Sequence, residues 1–501
     1  MTLTVRSPAD GRTLDSVAEY GVEEVASVVA GLRAEQPAWE ALGVAGRVRW
    51  LGRYRDWLLD NQDRLAELLQ AETGKAWPEA ALEPSYAVEV LNYYRARAPR
   101  FLADQRPRAQ SAITLNKRQR VSYRPYPLVG VITPWNFPLA LAMMDALPAL
   151  IAGAAVVLKP SEFTPLATNA AVAGWVEIGA PDVFRCVTGS AATGAAVVGM
   201  VDFIQFTGST RTGRDIAVSA AKRLVPCGLE LGGKDAMIVL DDADLERAAA
   251  GAVWGSMFNS GQACVSVERV YVEAPVYERF VALVVDKVAA LRQGVPDPSC
   301  GVDVGAMVSD RQLAIVEQHV HDALERGAKA LTGGNRAPHG TFFEPTVLVD
   351  VDHSMTCMTE ETFGPTMPIM KVADGDEAVR LANDSRYGLS ASVWTRNTAR
   401  AQHVARQLDV GAVNINDVMS NLLALPLPHS GWKQSGLGAR NGGAYGVRKF
   451  CRCTATTANR ISFRSEPQWY PYRRLTSVLR CYASSARAIR AGGFDEDRHL
   501  P

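Results

Sequence analysis

The segment Phe258-Asn-Ser-Gly-Gln-Ala-Cys264-Val-Ser-Val-Glu-Arg269 puts a thiol directly after a flexible Gly261-Gln262-Ala263 run. Gly261 and Ala263 carry little or no side chain, so a ligand can approach both backbone and sulfur. A thiol of ordinary pKa, about 8.5, becomes a good nucleophile when neighbouring groups favour its thiolate. Val265-Ser266-Val and Val270-Tyr-Val then read as a strand entering a core. An isolated cysteine in such a place is more often a buried structural residue. A second stretch, Phe206-Thr-Gly208-Ser209-Thr-Arg-Thr-Gly213-Arg, reads as a strand ending at Gly208, with Ser209 capping the next helix. The free N–H groups of that helix would receive a phosphate. Many strand-to-helix turns look alike, and the Gly-x-Gly-x-x-Gly fingerprint is absent. In Val156-Val-Leu-Lys159-Pro-Ser161-Glu162 a strand ends in an ammonium able to reach ribose hydroxyls or phosphate. Glu162 can accept from the 2′ and 3′ hydroxyls of an adenosine, and its charge repels a 2′-phosphate.

Three further stretches change the weight of Cys264. They are Gly130-Val-Ile132-Thr133-Pro134-Trp135-Asn136-Phe137-Pro, Glu230-Leu231-Gly-Gly-Lys234 and Glu361-Thr-Phe363-Gly-Pro365. With the cysteine segment, and in chain order, they resemble the aldehyde dehydrogenase superfamily from about residue 7 to about residue 449. The hydrolytic, succinate-semialdehyde-dehydrogenase-like bacterial branch is the nearest in look. The resemblance implies an α/β fold with a Rossmann-type cofactor domain, an α/β catalytic domain and a small β oligomerisation element. It implies a nicotinamide dinucleotide, NAD by preference because of Glu162, although members with this glutamate also use NADP. Cofactor-binding residues carried over by resemblance are Ile132, Thr133, Pro134, Trp135, Lys159, Ser161, Glu162, Gly208, Ser209, Leu231, Glu361 and Phe363. Glu361 would hold the nicotinamide ribose and Phe363 would pack beside the ring.

Oxidising an aldehyde to an acid needs a nucleophile, donors for an oxyanion, a hydride acceptor and a base for water. The implied nucleophile is Cys264, through a thiohemiacetal and then a readily hydrolysed thioester. Asn136 suits the oxyanion because its amide donates without titrating, and the backbone N–H of Cys264 would join it. Glu230 is the implied general base, its apolar neighbours raising its pKa toward the working range. Three departures from the family pattern stand out. Asp145 occupies a position where many members carry a lysine, Asp235 one where asparagine or serine is commoner, and Pro428-His-Ser-Gly-Trp replaces a Pro-Phe-Gly-Gly opening.

The candidate substrate tunnel consists of Phe137, Leu141, Met144, Val265, Ser266, Met419 and residues 422–425, mostly apolar. An aliphatic or aromatic aldehyde is therefore favoured. The alternative is succinic semialdehyde, its carboxylate met by an arginine such as Arg269 or Arg440. A CoA-acylating relative would tend to lack Glu230. A non-catalytic structural or binding protein on the same fold would have no use for Cys264, Asn136 and Glu230 together. No metal is expected, and His319 and His321 point in different directions on one helix.

These residues need a scaffold. Turn chemistry over residues 7–12 separates two short strands, and helical periodicity covers residues 22–42, 47–73 and 84–98, with Gly74 ending the second. Two short strands around a polar turn are expected over residues 112–125. Alternating strands and helices from 128 to 231 imply a mostly parallel sheet with helices on both faces, and a second α/β segment follows. The expected domains are 1–111 with 127–231 for the cofactor, 232–446 for catalysis, and strands at 112–126 and 447–463 for a homodimer or homotetramer. Residues 464–501 form a basic extension in which 469–491 reads as an amphipathic helix, packed on its own oligomer or lying on a membrane surface.

The 501 residues allow two or three cores. Equal numbers of basic and acidic residues, 53 each, argue against nucleic acid as a partner. The eight scattered cysteines read as reduced thiols. With neither a signal-peptide core nor an uninterrupted apolar span, the expected location is the cytoplasm.

Overall fold

The computed structural model describes residues 2–111, 114–438 and 442–466, together with 469, 470, 480 and 483. Arg440 lies outside them, as does the helix expected over 469–491 except at those four positions. The chain packs as two compact units, Met1–Phe101 with Pro125–Cys451, and Leu102–Arg124 with Arg452–Pro501.

In the first unit, β1 (Thr2–Arg6) and β2 (Thr13–Ala18) form an antiparallel ribbon around the expected turn. Helices α1 (Val22–Ala41), α2 (Gly43–Asp60), α3 (Gln62–Thr73) and α4 (Trp77–Phe101) follow. The single helix expected over residues 47–73 is corrected to two. Asn61 leaves the helical region, and its side-chain amide donates back to the Trp57 carbonyl at 2.9 Å. Gly74 does end α3, in the left-handed region at φ 72°.

Most of β3 (Lys117–Pro125) lies in the second unit, paired with β19 (Cys451–Asn459). Among the described residues of this stretch, 114–125, there is one strand rather than two. Residues 114–116 are a turn, closed by the Lys117 N–H on the Thr114 carbonyl at 2.8 Å. Residues 112 and 113 lie outside the described residues, and the antiparallel bridge to Val121 comes from Gln105.

The expected alternation follows in the first unit: β4 (Leu128–Ile132), α5 (Pro138–Ala152), β5 (Ala155–Lys159), α6 (Leu166–Glu177), β6 (Phe184–Cys186), α7 (Ala191–Met200), β7 (Phe203–Thr207), α8 (Thr210–Arg223) and β8 (Cys227–Glu230). The second run is β9 (Asp235–Val239), α9 (Leu245–Met257), β10 (Val267–Glu273), α10 (Tyr277–Ala289), α11 (Asp310–Glu325), β11 (Lys329–Thr332), β12 (Thr346–Val349), β13 (Thr366–Val372), β14 (Tyr387–Gly388), β15 (Ser390–Trp394), β16 (Ala412–Ile415), β17 (Trp432–Lys433) and β18 (Gly436–Leu437). One sheet has the order β18-β8-β7-β4-β5-β6, the other β11-β12-β13-β10-β9-β15-β16. Pairing is parallel except where β18 meets β8 and β11 meets β12. Strands β4, β5, β7, β9 and β10 are buried at every residue, as parallel strands covered on both faces must be. Among the described residues no helix is long and apolar enough to cross a membrane.

Candidate active site

The first sheet changes direction between β4 and β7. The chain runs outward from β4 through β5 to β6, then returns to β7 and β8 on the other side. A crevice outside the carboxyl ends of strands at such a point is a natural ligand site. Here β4 leads into residues 133–136, and β7 leads into Gly208 and Ser209. In the second sheet the amino ends of the adjacent strands β13, β10 and β9 follow Glu361–Phe363, Cys264 and Gly232-Gly233. Residues from both sheets share one cleft of about 490 Å³.

Of the residues singled out in the sequence, Pro134, Trp135, Asn136, Leu141, Gly208, Ser209, Leu231, Cys264, Glu361 and Phe363 line this cleft. Cys264 opens a turn closed by the Ser266 N–H on the Ala263 carbonyl at 2.9 Å. Every residue from 259 to 273 is buried except Cys264. The run before it is pinned rather than flexible. The Gln262 side chain donates to the Asn259 carbonyl at 3.0 Å and accepts from the Val308 N–H at 2.9 Å. The Asn136 amide donates to the Gln262 carbonyl at 2.9 Å, which ties it to the thiol turn. At Gly233 a side chain would not fit, because its Cβ would fall 2.3 Å from the Cys264 carbonyl oxygen.

Glu230 is buried at the end of β8, next to the lining residues Leu231 and Gly232. Its carbonyl accepts the Gly208 N–H at 3.0 Å, and Leu231 donates to the Ser435 carbonyl at 2.9 Å. Glu361 is buried and accepts the Gly233 N–H at 2.8 Å. Burial first, then the neighbouring charge of Glu268, pushes its carboxyl up to about 8. The Trp135 and Phe363 rings meet edge to face at 5.4 Å.

Two helix starts face the cleft. Ser209 caps α8 by accepting from the Thr212 N–H at 3.3 Å, and Ser309 caps α11 by accepting from Gln312 at the same distance. Arg211 and Arg311 from their first turns line the cleft, so both dipoles and both charges favour an anion. The Thr207 hydroxyl in the cleft wall is buried without a protein partner among the described residues. This set fits a dinucleotide with a pyrophosphate. Lys159 is buried and 3.3 Å from Glu162, while Ser161 accepts the Phe163 N–H at 3.3 Å. Glu162 lines an adjoining cavity of about 620 Å³, which shares Phe163 and Ser309 with the cleft. Ile132 and Thr133 stand behind the lining, Thr133 donating to the Lys159 carbonyl at 3.1 Å.

The tunnel residues divide. Phe137 stacks on Phe258 at 5.6 Å, and both pack with Cys264 and Leu422 against the core that holds Met419 and Val265. Met144 is buried beside the Tyr86 hydroxyl. Val265 and Ser266 are buried and do not line the cleft. Val265 is core, and the Ser266 hydroxyl donates to the Gly255 carbonyl at 3.1 Å. Arg269 is corrected too: its guanidinium donates to the carbonyls of Lys234, Leu381 and Ala382, away from the cleft.

Sequence reasoning missed Phe163, Thr207, Arg311, Gln312 and Ile315 in the lining. The only sequence signal was the Ser309-x-x-Gln312 start of a helix. It also missed the support of the 361–363 loop. Glu268 accepts from the N–H groups of Thr362 and Phe363 at 2.8 and 2.9 Å and pairs with Lys234 at 2.5 Å. Gln312 donates to the Thr362 and Phe363 carbonyls, and His319 bonds the Thr362 hydroxyl at 3.1 Å. The departures have local explanations. Asp145 accepts from the Lys449 ammonium at 3.0 Å, and Asp235 accepts the Ser390 N–H at 3.0 Å, joining β9 to β15.

A model of the aldehyde dehydrogenase family matches residues 1–456. A 4,4'-diapolycopene aldehyde oxidase from Methylomonas sp is 42% identical over 477 residues, 94% of this chain and 88% of the relative. A protein named "Putative succinate-semialdehyde dehydrogenase [NADP(+)]" from Mycolicibacterium smegmatis is 38% identical over 456 residues, 90% of this chain and 87% of the relative. A solved E. coli structure described as an NADP dependent enzyme superposes with a TM-score of 0.88 at 36% identity, covering 92% of this chain and 95% of the other.

Proposed function

The chain belongs to the aldehyde dehydrogenase family, and from that premise we propose that Cys264, Asn136 and Glu230 carry its oxidation of an apolar aldehyde. It is an NAD(P)-dependent oxidoreductase. The observation that carries the residue assignment is the single opening in a buried run, at Cys264, onto the cleft that Asn136 also lines. The Cys264 thiolate adds to the aldehyde carbon, and the carbonyl oxygen takes up negative charge. The Asn136 amide and the Cys264 N–H donate to that oxygen, an effect worth about 10²–10³ in rate per donor. When bound, the nicotinamide dinucleotide accepts the hydride that leaves the adduct. The thioester that remains on Cys264 is attacked by water deprotonated by Glu230. The C–S bond breaks, the acid leaves and the thiol is regenerated.

The apolar preference rests on Phe137, Phe258 and Leu422, which pack against the same apolar core as Cys264, and on the engagement of Arg269 elsewhere. The relative named for 4,4'-diapolycopene aldehyde agrees with it; the relative named for succinic semialdehyde supports the alternative. NAD is preferred because the Glu162 carboxylate repels a 2′-phosphate, with NADP admitted. Turnover of hexanal, benzaldehyde and succinic semialdehyde with each cofactor separates the readings. A strong preference for succinic semialdehyde rejects the apolar assignment, and Cys264→Ala that still gives a burst of reduced cofactor rejects the nucleophile. The β3–β19 ribbon is the proposed subunit interface, since β19 is exposed along most of its length and two strands alone are marginally stable.

A further inference from the structure

The turn before α4, and α4 itself, carry charge where the protein is driest. Lys75 and Glu83 are each 1% exposed. The Lys75 ammonium lies 2.6 Å from Glu83 Oε1 and donates to the main-chain carbonyl of Asn136 at 2.7 Å. The other Glu83 oxygen accepts the N–H groups of Leu139 and Ala140, both at 3.0 Å, in the first turn of α5 just after Asn136. The same Asn136 carbonyl accepts from the Asn259 side-chain amide at 3.0 Å. That amide also reaches the Gln262 carbonyl at 3.1 Å, and the Asn259 N–H is held by Glu79 at 2.8 Å. Lys75 further stands 4.2 Å from the centre of the Phe137 ring.

Removing two charges from water costs several kcal/mol per ion, and apolar side chains of similar volume would often fill the space at less cost. What apolar side chains cannot do is grip a carbonyl from one side while a carboxylate holds the following helix start. One grip closes on the Asn136 carbonyl and the other on the helix start just after it, and a displacement of about 1 Å in such a group is enough to cost about 10²-fold in rate.

We propose that Lys75, locked by Glu83, is a positioning residue for Asn136, and that with Asn259 it clamps the Asn136 backbone so that the side-chain amide stays registered against the Cys264 turn. The proposal rests on the oxyanion role of Asn136. The test uses the full chain with Lys75→Met and Glu83→Gln together, which removes the pair without stranding a charge. NAD affinity and alkylation of Cys264 by iodoacetamide should stay within about twofold, because neither depends on the Asn136 amide. The burst rate of hydride transfer should fall by about 10²-fold. In an Asn136→Ala background the same double substitution should change that rate by less than about twofold, since residues acting through one group are not additive.

An unchanged burst rate, or the full loss persisting in the Asn136→Ala background, overturns the clamp. An unchanged burst rate in Asn136→Ala alone overturns the oxyanion role, and is read from a separate variant. Should the double variant not fold, Asn259→Gly removes the second donor at a position with φ 52°, where glycine is at ease. It should slow the burst about tenfold, and by less in the Asn136→Ala background, where only its bond to the Gln262 carbonyl still counts; an equal loss in both backgrounds overturns the proposal.

Discussion

Asn259, Ser260 and Gly261, just ahead of the thiol turn, hold φ of 52°, 56° and 71°. For the first two this left-handed conformation costs roughly 1–2 kcal/mol each, offset by the hydrogen bonds of Asn259 and Gln262 already described. Gly261 has a second reason to be glycine: a Cβ there would sit 2.0 Å from the Gly364 carbonyl oxygen, in the segment that carries Phe363. Gly261→Ala should therefore displace the thiol turn and the 361–363 loop together. The expected result is a destabilisation of roughly 3 kcal/mol or more by urea unfolding, with turnover reduced at least about 10²-fold. Glu361 gives a titration instead. Its carboxyl, pushed up to about 8, is largely neutral in the free protein at pH 6.5, whereas the ribose hydroxyls that we propose it holds are bound best by the carboxylate. NAD affinity should rise with pH between 6.5 and 8, by up to about tenfold per unit, and Glu361→Gln should flatten the profile in a fluorescence titration.

All fifteen residues of α5 are buried, and Asp145 is the charged one among them. A helix apolar all round belongs in a core, and there an unpaired carboxylate is costly. The Lys449 ammonium, just after the short helix Tyr445–Arg448, meets Asp145 and also donates to the Gln205 side chain at 3.1 Å. Lys449→Met should cost about 3–5 kcal/mol in denaturant unfolding, and adding Asp145→Asn should recover most of it; equal losses in the single and double variants would exclude the pairing. The Asp145 departure was visible in the sequence, but its partner about three hundred residues away was not. The same contrast runs through the site. Cys264, Asn136 and the 361–363 loop were legible because their motifs are short and their backbone demands local. Arg311 and Gln312 were not, because Ser309-x-x-Gln312 starts helices everywhere and its arrival at the cleft depends on tertiary packing. The break at Asn61 was hidden for a related reason, since α2 and α3 keep a common apolar rhythm across it.

At the scale of the whole molecule, four buried carboxyls act in one direction on stability. Burial pushes Glu72 up to about 8, Glu79 to about 7 and Glu361 to about 8, and raises Asp235 well above its ordinary range. Each keeps its proton in the folded protein at a pH where the unfolded chain has released it. The stability the three glutamates contribute is complete below their ordinary value of 4.5 and is lost as pH rises through 7 and 8. His319 works the other way. Burial, then the charge of Lys234, lowers it to about 4, so between that pH and 6.5 the unfolded chain binds the extra proton and stability gains with pH. The two trends oppose each other in mildly acidic solution, and only the carboxyls act above pH 6.5. The unliganded protein should therefore weaken between pH 6.5 and 8, by as much as about 1.4 kcal/mol per unit for each carboxyl still titrating. Urea midpoints at those two pH values check the sign. Glu79→Gln, which keeps an acceptor for the Asn259 N–H, should reduce the slope; a midpoint that climbs with pH over this window would mean that these carboxyls are already ionised in the fold.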